Sequence, residues 1–248
     1  MKGDVILIEE HNRAVARLLL PLLLPLFDKT VAKITFTVAG ESGSGKSETA
    51  AAISETLSER GISSVILQQD DYFHLPPKSN HNKRLEDLGK VGPAEVNLEL
   101  LNSHIHQFRI GKGKIQKPLV DYDNNKICEE TIHLDGVTGL IVEGTYTSLL
   151  DEIDRRIFIA RDFNQTLDHR RKRNRSSSEL DNVINDVLMI EQQIISTHQE
   201  LADIIINDDF DTALSDLQAV IQAQRLSRSQ QQRQYKGLLA TLIENSDQ

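Results

Sequence analysis

The sequence predicts an α/β fold, a mostly parallel sheet covered by helices on both faces. Three observations carry that prediction. Apolar, β-branched runs recur at residues 33–39 (KITFTVA), 63–68 (SSVILQ), 138–142 (TGLIV), 156–160 (RIFIA) and 203–207 (DIIIN), each short and continuous enough for a buried strand. Stretches of helical period separate most of them. The 248 residues, 39% hydrophobic and 26% charged, are enough for one such domain with a substantial core.

Taken in order, residues 18–27 form an apolar run interrupted by Pro21 and Pro25. It is too short to span a bilayer, which needs about 20 apolar residues. A secretory signal would carry a basic start, and Glu9 and Glu10 stand there instead. The expectation is a helix from about Glu9, packed on the domain and kinked or ended by the prolines. Strand 33–39 runs through GESGSGKSE into an amphipathic helix ending at Gly61. Strand 63–68 ends on Gln69-Asp70-Asp71, and residues 72–90 read as a long polar loop. Residues 93–109 have helical period. Residues 115–120 and 126–134 read as strands joined by a turn at Asn124-Asn125. Strand 138–142 leads to Glu143-Gly144, and strand 156–160 leads to a basic helix over 164–175, broken by Ser176-Ser177-Ser178. A helix over 180–201 precedes the last strand, and from residue 211 the pattern is helical with a solvated tail. There are no internal repeats. The expected division is a helical extension (1–32), a main domain (33–210) and a C-terminal helix and tail (211–248).

The net charge of −9 argues against a nucleic-acid partner, which would call for a basic footprint. Cys128 is the only cysteine, so neither an internal disulfide nor a multi-cysteine metal site can form, and a reducing, cytoplasmic setting is expected. No membrane partner is expected, and a homo-oligomeric state stays open.

Gly40-Glu41-Ser42-Gly43-Ser44-Gly45-Lys46-Ser47 matches G-x-x-x-x-G-K-[ST] without a gap, between a strand and a helix. In such a P-loop (Walker A) the glycines let successive N–H groups turn inward around an anion at a helix N-terminus. Gly40, Ser42, Gly43, Ser44, Gly45, Lys46, Ser47 and Glu48 are therefore the candidate ATP contacts. Lys46 is expected on the β- and γ-phosphates and the Ser47 hydroxyl on Mg²⁺. Ligands of an open parallel sheet lie beyond the carboxyl ends of its strands, which makes Asp70, Asp71 and Glu143 the next candidates. One carboxylate there could take the proton of an attacking hydroxyl, and another, Asp70 or Glu143, could hold Mg²⁺. The segment from His169 to Arg175 (HRRKRNR) is the densest basic cluster, and Arg170 and Arg173 share a helical face. Arginines there could meet charge developing on a transferred phosphoryl.

In this order, the three elements resemble the phosphoribulokinase/uridine kinase family of P-loop kinases, over about residues 33–207. Gln69-Asp70-Asp71-Tyr72-Phe73 is similar to a segment of its uridine and nicotinamide riboside kinases whose first aspartate is the base. The resemblance thus implies an ATP-dependent transfer to a small-molecule hydroxyl acceptor, with a P-loop three-layer sandwich, a lid helix, Mg²⁺, and Asp70, Lys46, Arg170 and Arg173 as catalytic residues. Shifted by one residue, Asp71-Tyr72-Phe73-His74 resembles phosphoribulokinases and would make Asp71 the base. Asp71, Tyr72, Phe73, Asp121 and Tyr122 fall where the family meets its acceptor.

The sequence departs from the nucleoside kinases at two such places. Val91 stands where a ribose-gripping aspartate belongs, and Val120 replaces an aromatic that would touch a base. Gly92-Pro93-Ala94-Glu95 looks closer to phosphoribulokinases. Lys78, His81, Lys83 and Arg84 would suit an acidic acceptor. A nucleotide-driven switch, with Gln69 positioning water, is the competing function class; a degenerate kinase is argued against by the intact Lys46, Ser47 and Asp70.

Overall fold

The computed structural model describes residues 2, 6–27, 33–161 and 182–207. The expected α/β class holds: five parallel strands, β1 (Ile34–Gly40), β2 (Ser64–Gln68), β5 (Gly139–Glu143), β6 (Arg155–Ile159) and β7 (Ile204–Ile206), lie in the order β2-β5-β1-β6-β7. The register sets Glu143 at the end of β5 beside Val38 of β1 and Gln68 of β2. The ends that carry GESGSGKS, Glu143 and Gln69-Asp70 are thus neighbours on one edge of the sheet.

Successive strand residues feed opposite faces, as the two-residue period of a strand requires. Phe36, Val38, Ile141, Ile157 and Ile159 join helices α1 (Glu10–Phe27) and α2 (Lys46–Ser58) in one core cluster. Ala39, Leu140, Val142 and Phe158 join helix α4 (Leu98–Arg109) in the other. Helix α1 continues through Pro21 and Pro25 instead of ending there. A proline inside a helix costs about 3 kcal/mol. Against two of them stand five buried leucines (18, 19, 20, 22 and 23), each contributing about 1.5–3 kcal/mol, and burial wins.

Two expectations need correction. Residues 72–90 are not a loop, since Pro77–Glu86 forms helix α3 and Leu88–Lys90 a 3-10 turn. Pro77 opens α3 at a position where its missing N–H costs nothing. The helix expected over 93–109 is a 3-10 turn (Pro93–Glu95) followed by α4, whose first turn is capped where Leu100 N donates to Asn97 Oδ1 (3.0 Å). Strands β3 (Lys114–Asp121) and β4 (Lys126–His133) pair antiparallel as a separate hairpin, with Asn125 in the turn at positive φ. Helix α5 (Asn182–Ile195) tightens into a 3-10 segment, Ser196–Leu201, before β7. The basic helix over 164–175 and the pattern from 211 onward lie outside the described residues.

Candidate active site

The loop after β1 has the shape its glycines allow. Gly43 and Gly45 take positive φ (80° and 93°), and α2 starts directly at Lys46. Gly40 cannot be replaced without moving backbone: a Cβ there would lie 2.7 Å from the Ile159 carbonyl oxygen and 2.9 Å from Ser44 Oγ. Lys46 Nζ donates to the Glu41 carbonyl at 2.8 Å, folding its chain back over the loop. The Ser44 hydroxyl is buried and has no hydrogen-bond partner among the described residues, as an anion-facing donor would be.

Ser47 Oγ donates to Glu143 Oε1 at 2.9 Å, which joins the helix start to the end of β5. Glu143 is almost fully buried. A hydroxyl and a carboxylate paired beside an anion cradle are hard oxygen ligands, and they fit Mg²⁺. Gln69 follows β2 with its side chain fully buried, accepting from Tyr146 N at 2.7 Å. Its Cβ comes so close to Gly144 that a side chain at 144 would overlap it, which accounts for glycine after Glu143.

The two adjacent aspartates separate cleanly. Asp70 is half-buried and makes no hydrogen bond or ion pair with the described residues. Asp71 is buried and accepts from Lys117 Nζ (2.5 Å) and from Val120 N (2.9 Å), so it clamps the β3–β4 hairpin to the sheet edge. Sequence separations of 46 and 49 residues hid that clamp. Asp71 as an acceptor contact or reserve base is corrected accordingly. Tyr72 is corrected too: it is 1% exposed, inside a core cluster, with its hydroxyl 2.8 Å from His104 Nδ1. Burial pushes the Tyr72 hydroxyl well above its ordinary range, and the charge of Asp71 adds to that. Phe73 is half-buried beside Val96, with which it forms an isolated antiparallel bridge. Asp121 takes hydrogen bonds from Asn124 at the hairpin turn and an ion pair from Lys2 (2.9 Å), so it organises the turn instead of waiting for an acceptor. Tyr122 is half-buried and donates its N–H to the Lys2 carbonyl (3.2 Å).

The cations expected to suit an acidic acceptor are placed differently from one another. Lys78 and Lys83 lie on the exposed side of α3, whereas Arg84 turns inward. Arg84 makes a two-point pair with Glu95 (Nε–Oε1 2.6 Å, Nη2–Oε2 2.8 Å) and reaches Glu191 of α5 at 3.0 Å. Burial opposes charge in this cluster, but the Arg84 hydrogen bond and charge still hold the Glu95 carboxyl below its ordinary value. Burial dominates at Glu191 and raises it. Val91 and Val120 are both buried, where they fill core volume. Arg170 and Arg173 lie outside the described residues.

Reading the sequence missed Lys117, Glu191 and Tyr146. No local pattern marks Lys117 or Tyr146; for Glu191 the available signal was a charged residue directly after the apolar run VLMI.

A sequence profile described as the Phosphoribulokinase / Uridine kinase family matches residues 35–215. A uridine kinase of Staphylococcus epidermidis is 30% identical over 179 residues, 68% of this chain and 84% of that protein. A bifunctional alpha-galactosidase/sucrose kinase of Mediterraneibacter gnavus is 24% identical over 189 residues, 71% of this chain but only 20% of that protein's length. Among solved structures, a possible uridine kinase from Bacillus stearothermophilus superposes with a TM-score of 0.52 at 19% identity, covering 77% of this chain and 97% of that one. The phosphoribulokinase from Rhodobacter spheroides gives 0.54 at 14% identity, with 75% of each chain covered. No helix among the described residues is long and apolar enough to cross a membrane.

Proposed function

The chain belongs to the phosphoribulokinase/uridine kinase family, and from that premise we propose that it transfers the γ-phosphoryl of ATP to a hydroxyl of an uncharged small metabolite. One observation carries the reading. Of the three carboxylates at the relevant strand ends, Asp71 is spent on Lys117 and Glu143 on Ser47, and Asp70 alone has no partner among the described residues.

In this reading Asp70 takes the proton of the acceptor hydroxyl while the acceptor oxygen bonds to the γ-phosphorus. The bond from that phosphorus to the β–γ bridging oxygen breaks, leaving ADP and a phosphorylated acceptor. Lys46 and the loop N–H groups hold the β- and γ-phosphates in line. Ser47 and Glu143 would hold Mg²⁺, which supplies neutralisation of the phosphate oxygens. Arg170 and Arg173 are assigned to the transferred phosphoryl on sequence grounds.

Charge placement supports an uncharged acceptor. The inward cation of α3, Arg84, is taken by two carboxylates, and Lys117 by Asp71 and Glu130. Lys78 and Lys83 face solvent. The relative named as a sucrose kinase agrees with a polyhydroxyl acceptor. Val91 and Val120 argue against a tightly held nucleoside, since a site that does not hydrogen-bond a ribose gains little selectivity for one. Gln69 is buried against the Tyr146 amide, which speaks against hydrolysis driven by a glutamine-positioned water.

An ATP-consumption screen over neutral sugars, polyols, uridine and sugar phosphates tests this. The expected result is highest kcat/KM for an uncharged polyhydroxyl compound, with uridine below about 10⁴ M⁻¹s⁻¹. A sugar phosphate at least about tenfold better than every uncharged compound would overturn the acceptor class.

A further inference from the structure

Helix α3 is held in an unusual way. None of its residues is buried, so apolar packing does not fix it. Its inward ties are polar: Asn80 Nδ2 donates to Glu95 Oε1 (2.9 Å), Arg84 pairs with Glu95 and Glu191, and its start leans on Asn125 through Lys78 N and Ser79 Oγ. The side chains of Arg84, Glu95 and Glu191 are only 14%, 8% and 10% exposed, so water does little to screen them.

The three members are not equivalent. Glu95 accepts from Asn80, from two Arg84 nitrogens and from Gly92 N, and it would stay satisfied if one donor were lost. Glu191 has a single hydrogen-bond partner among the described residues, Arg84. The link from α3 to α5 therefore runs through one guanidinium, whose planar fork can serve two carboxylates at once where an ammonium could not. The Glu95 end ties back toward the strand end that carries Asp70, for Glu95 O accepts from His74 N, four residues after Asp70.

We propose that Arg84 is a positioning residue that locks α3 to α5 and so fixes the acceptor-side wall of the site. With an apolar residue at 84, the side-chain hydrogen bonds left to tie α3 to its surroundings among the described residues are those of Asn80 with Glu95 and of Asn125 with Lys78 N and Ser79, while the bonds of Lys46 and Ser47 in the phosphate loop are untouched. The word acceptor rests on the kinase reading above; the lock does not.

Hydrogen exchange on the full chain tests the lock without any acceptor. In Arg84→Met, amides of 77–86 should exchange at least about tenfold faster than in the parent, with those of α2 (46–58) unchanged. If Arg84→Met does not fold, Arg84→Met with Glu191→Leu replaces the buried pair by apolar groups and should fold with the same local signature. Unchanged exchange at 77–86, or equal acceleration at 46–58, would overturn the lock. Kinetically, with the best compound of the screen as acceptor, its KM should rise about tenfold while the Kd for MgATP stays within about twofold. Equal losses in both would overturn a role confined to the acceptor side. If exchange changes as expected and no compound is phosphorylated, the lock stands and the kinase reading falls.

Discussion

The phosphate loop and the region of α3 and the β3–β4 hairpin treat charge in opposite ways. On the phosphate side, the Ser44 hydroxyl is buried without a hydrogen-bond partner among the described residues, and Lys46 Nζ folds back onto the Glu41 carbonyl of its own loop. The Ser44 hydroxyl is thus left as a donor that an anion in the loop could take. Around α3 and the hairpin, the side of the proposed acceptor, Arg84, Lys117 and Asp121 are already matched by Glu95, Glu191, Asp71, Asn124 and Lys2. A side chain that looks like a ligand contact in sequence is, there, a strut. Buried charges are dependable as struts because breaking one pair leaves the other charge stranded in low dielectric.

That contrast can be broken most directly at Lys46. Lys46→Ala should lower turnover by about 10³-fold or more, since it removes a charge-assisted contact at the phosphoryl being transferred. Unchanged ATP affinity and activity in that variant would void the phosphate assignment. Asp70→Asn should cut kcat by roughly 10²–10⁴-fold with MgATP binding and melting temperature close to the parent. Asp71→Asn should behave the other way. It leaves Lys117 with the half-exposed Glu130 as its charged partner beside the Pro118 carbonyl, and should cost about 3 kcal/mol, or roughly 6–12 °C in Tm. A large kinetic loss at normal Tm for Asp71→Asn would reverse the two roles.

Two smaller effects sharpen the comparison. Lys78→Ala and Lys83→Ala should change stability by less than about 0.5 kcal/mol and leave acceptor KM alone, because both point to solvent. His104 and His198 contribute to the pH dependence, both held below their ordinary value by burial, with Lys117 adding to the effect at His104. The unfolded chain therefore takes up these protons first. Their contribution is fully present above a pH of about 6.5 and is lost as pH falls below it. Thermal melts from pH 8 to 5 should show Tm declining on the acid side, less steeply in His104→Gln; an unaltered slope would remove His104 from that account.

Legibility followed sequence distance. The run from KITFTVA through GESGSGKSE to α2 is contiguous, and its strand, loop and helix each leave a local signature. The parallel sheet was readable from its apolar runs, and the hairpin from Asn124-Asn125. Helix α3 escaped because it has no apolar period to detect: its inward face is Asn80 and Arg84. Its Pro76-Pro77 start reads equally well as a loop signal. Asp71 escaped because its partner lies 46 residues away, and Glu191 because its partner lies 107 away. Tyr72 resembled a ligand contact by alignment, while its hydroxyl is sealed against His104.

Helix α1 has a practical consequence for handling this protein. The family match begins at residue 35, so α1 lies wholly upstream of it. Yet Leu19 and Leu23 of α1 are completely buried, and Asn12 comes within 3.9 Å of where a Cβ on Gly45 would sit. A fragment trimmed at the homology boundary would bare the apolar face that those leucines cover, with Phe36 and Val38 of β1 and Ile53 and Leu57 of α2, beside the phosphate loop. Such a fragment should be poorly soluble on its own, and the missing helix supplied as a separate peptide should bind back to it.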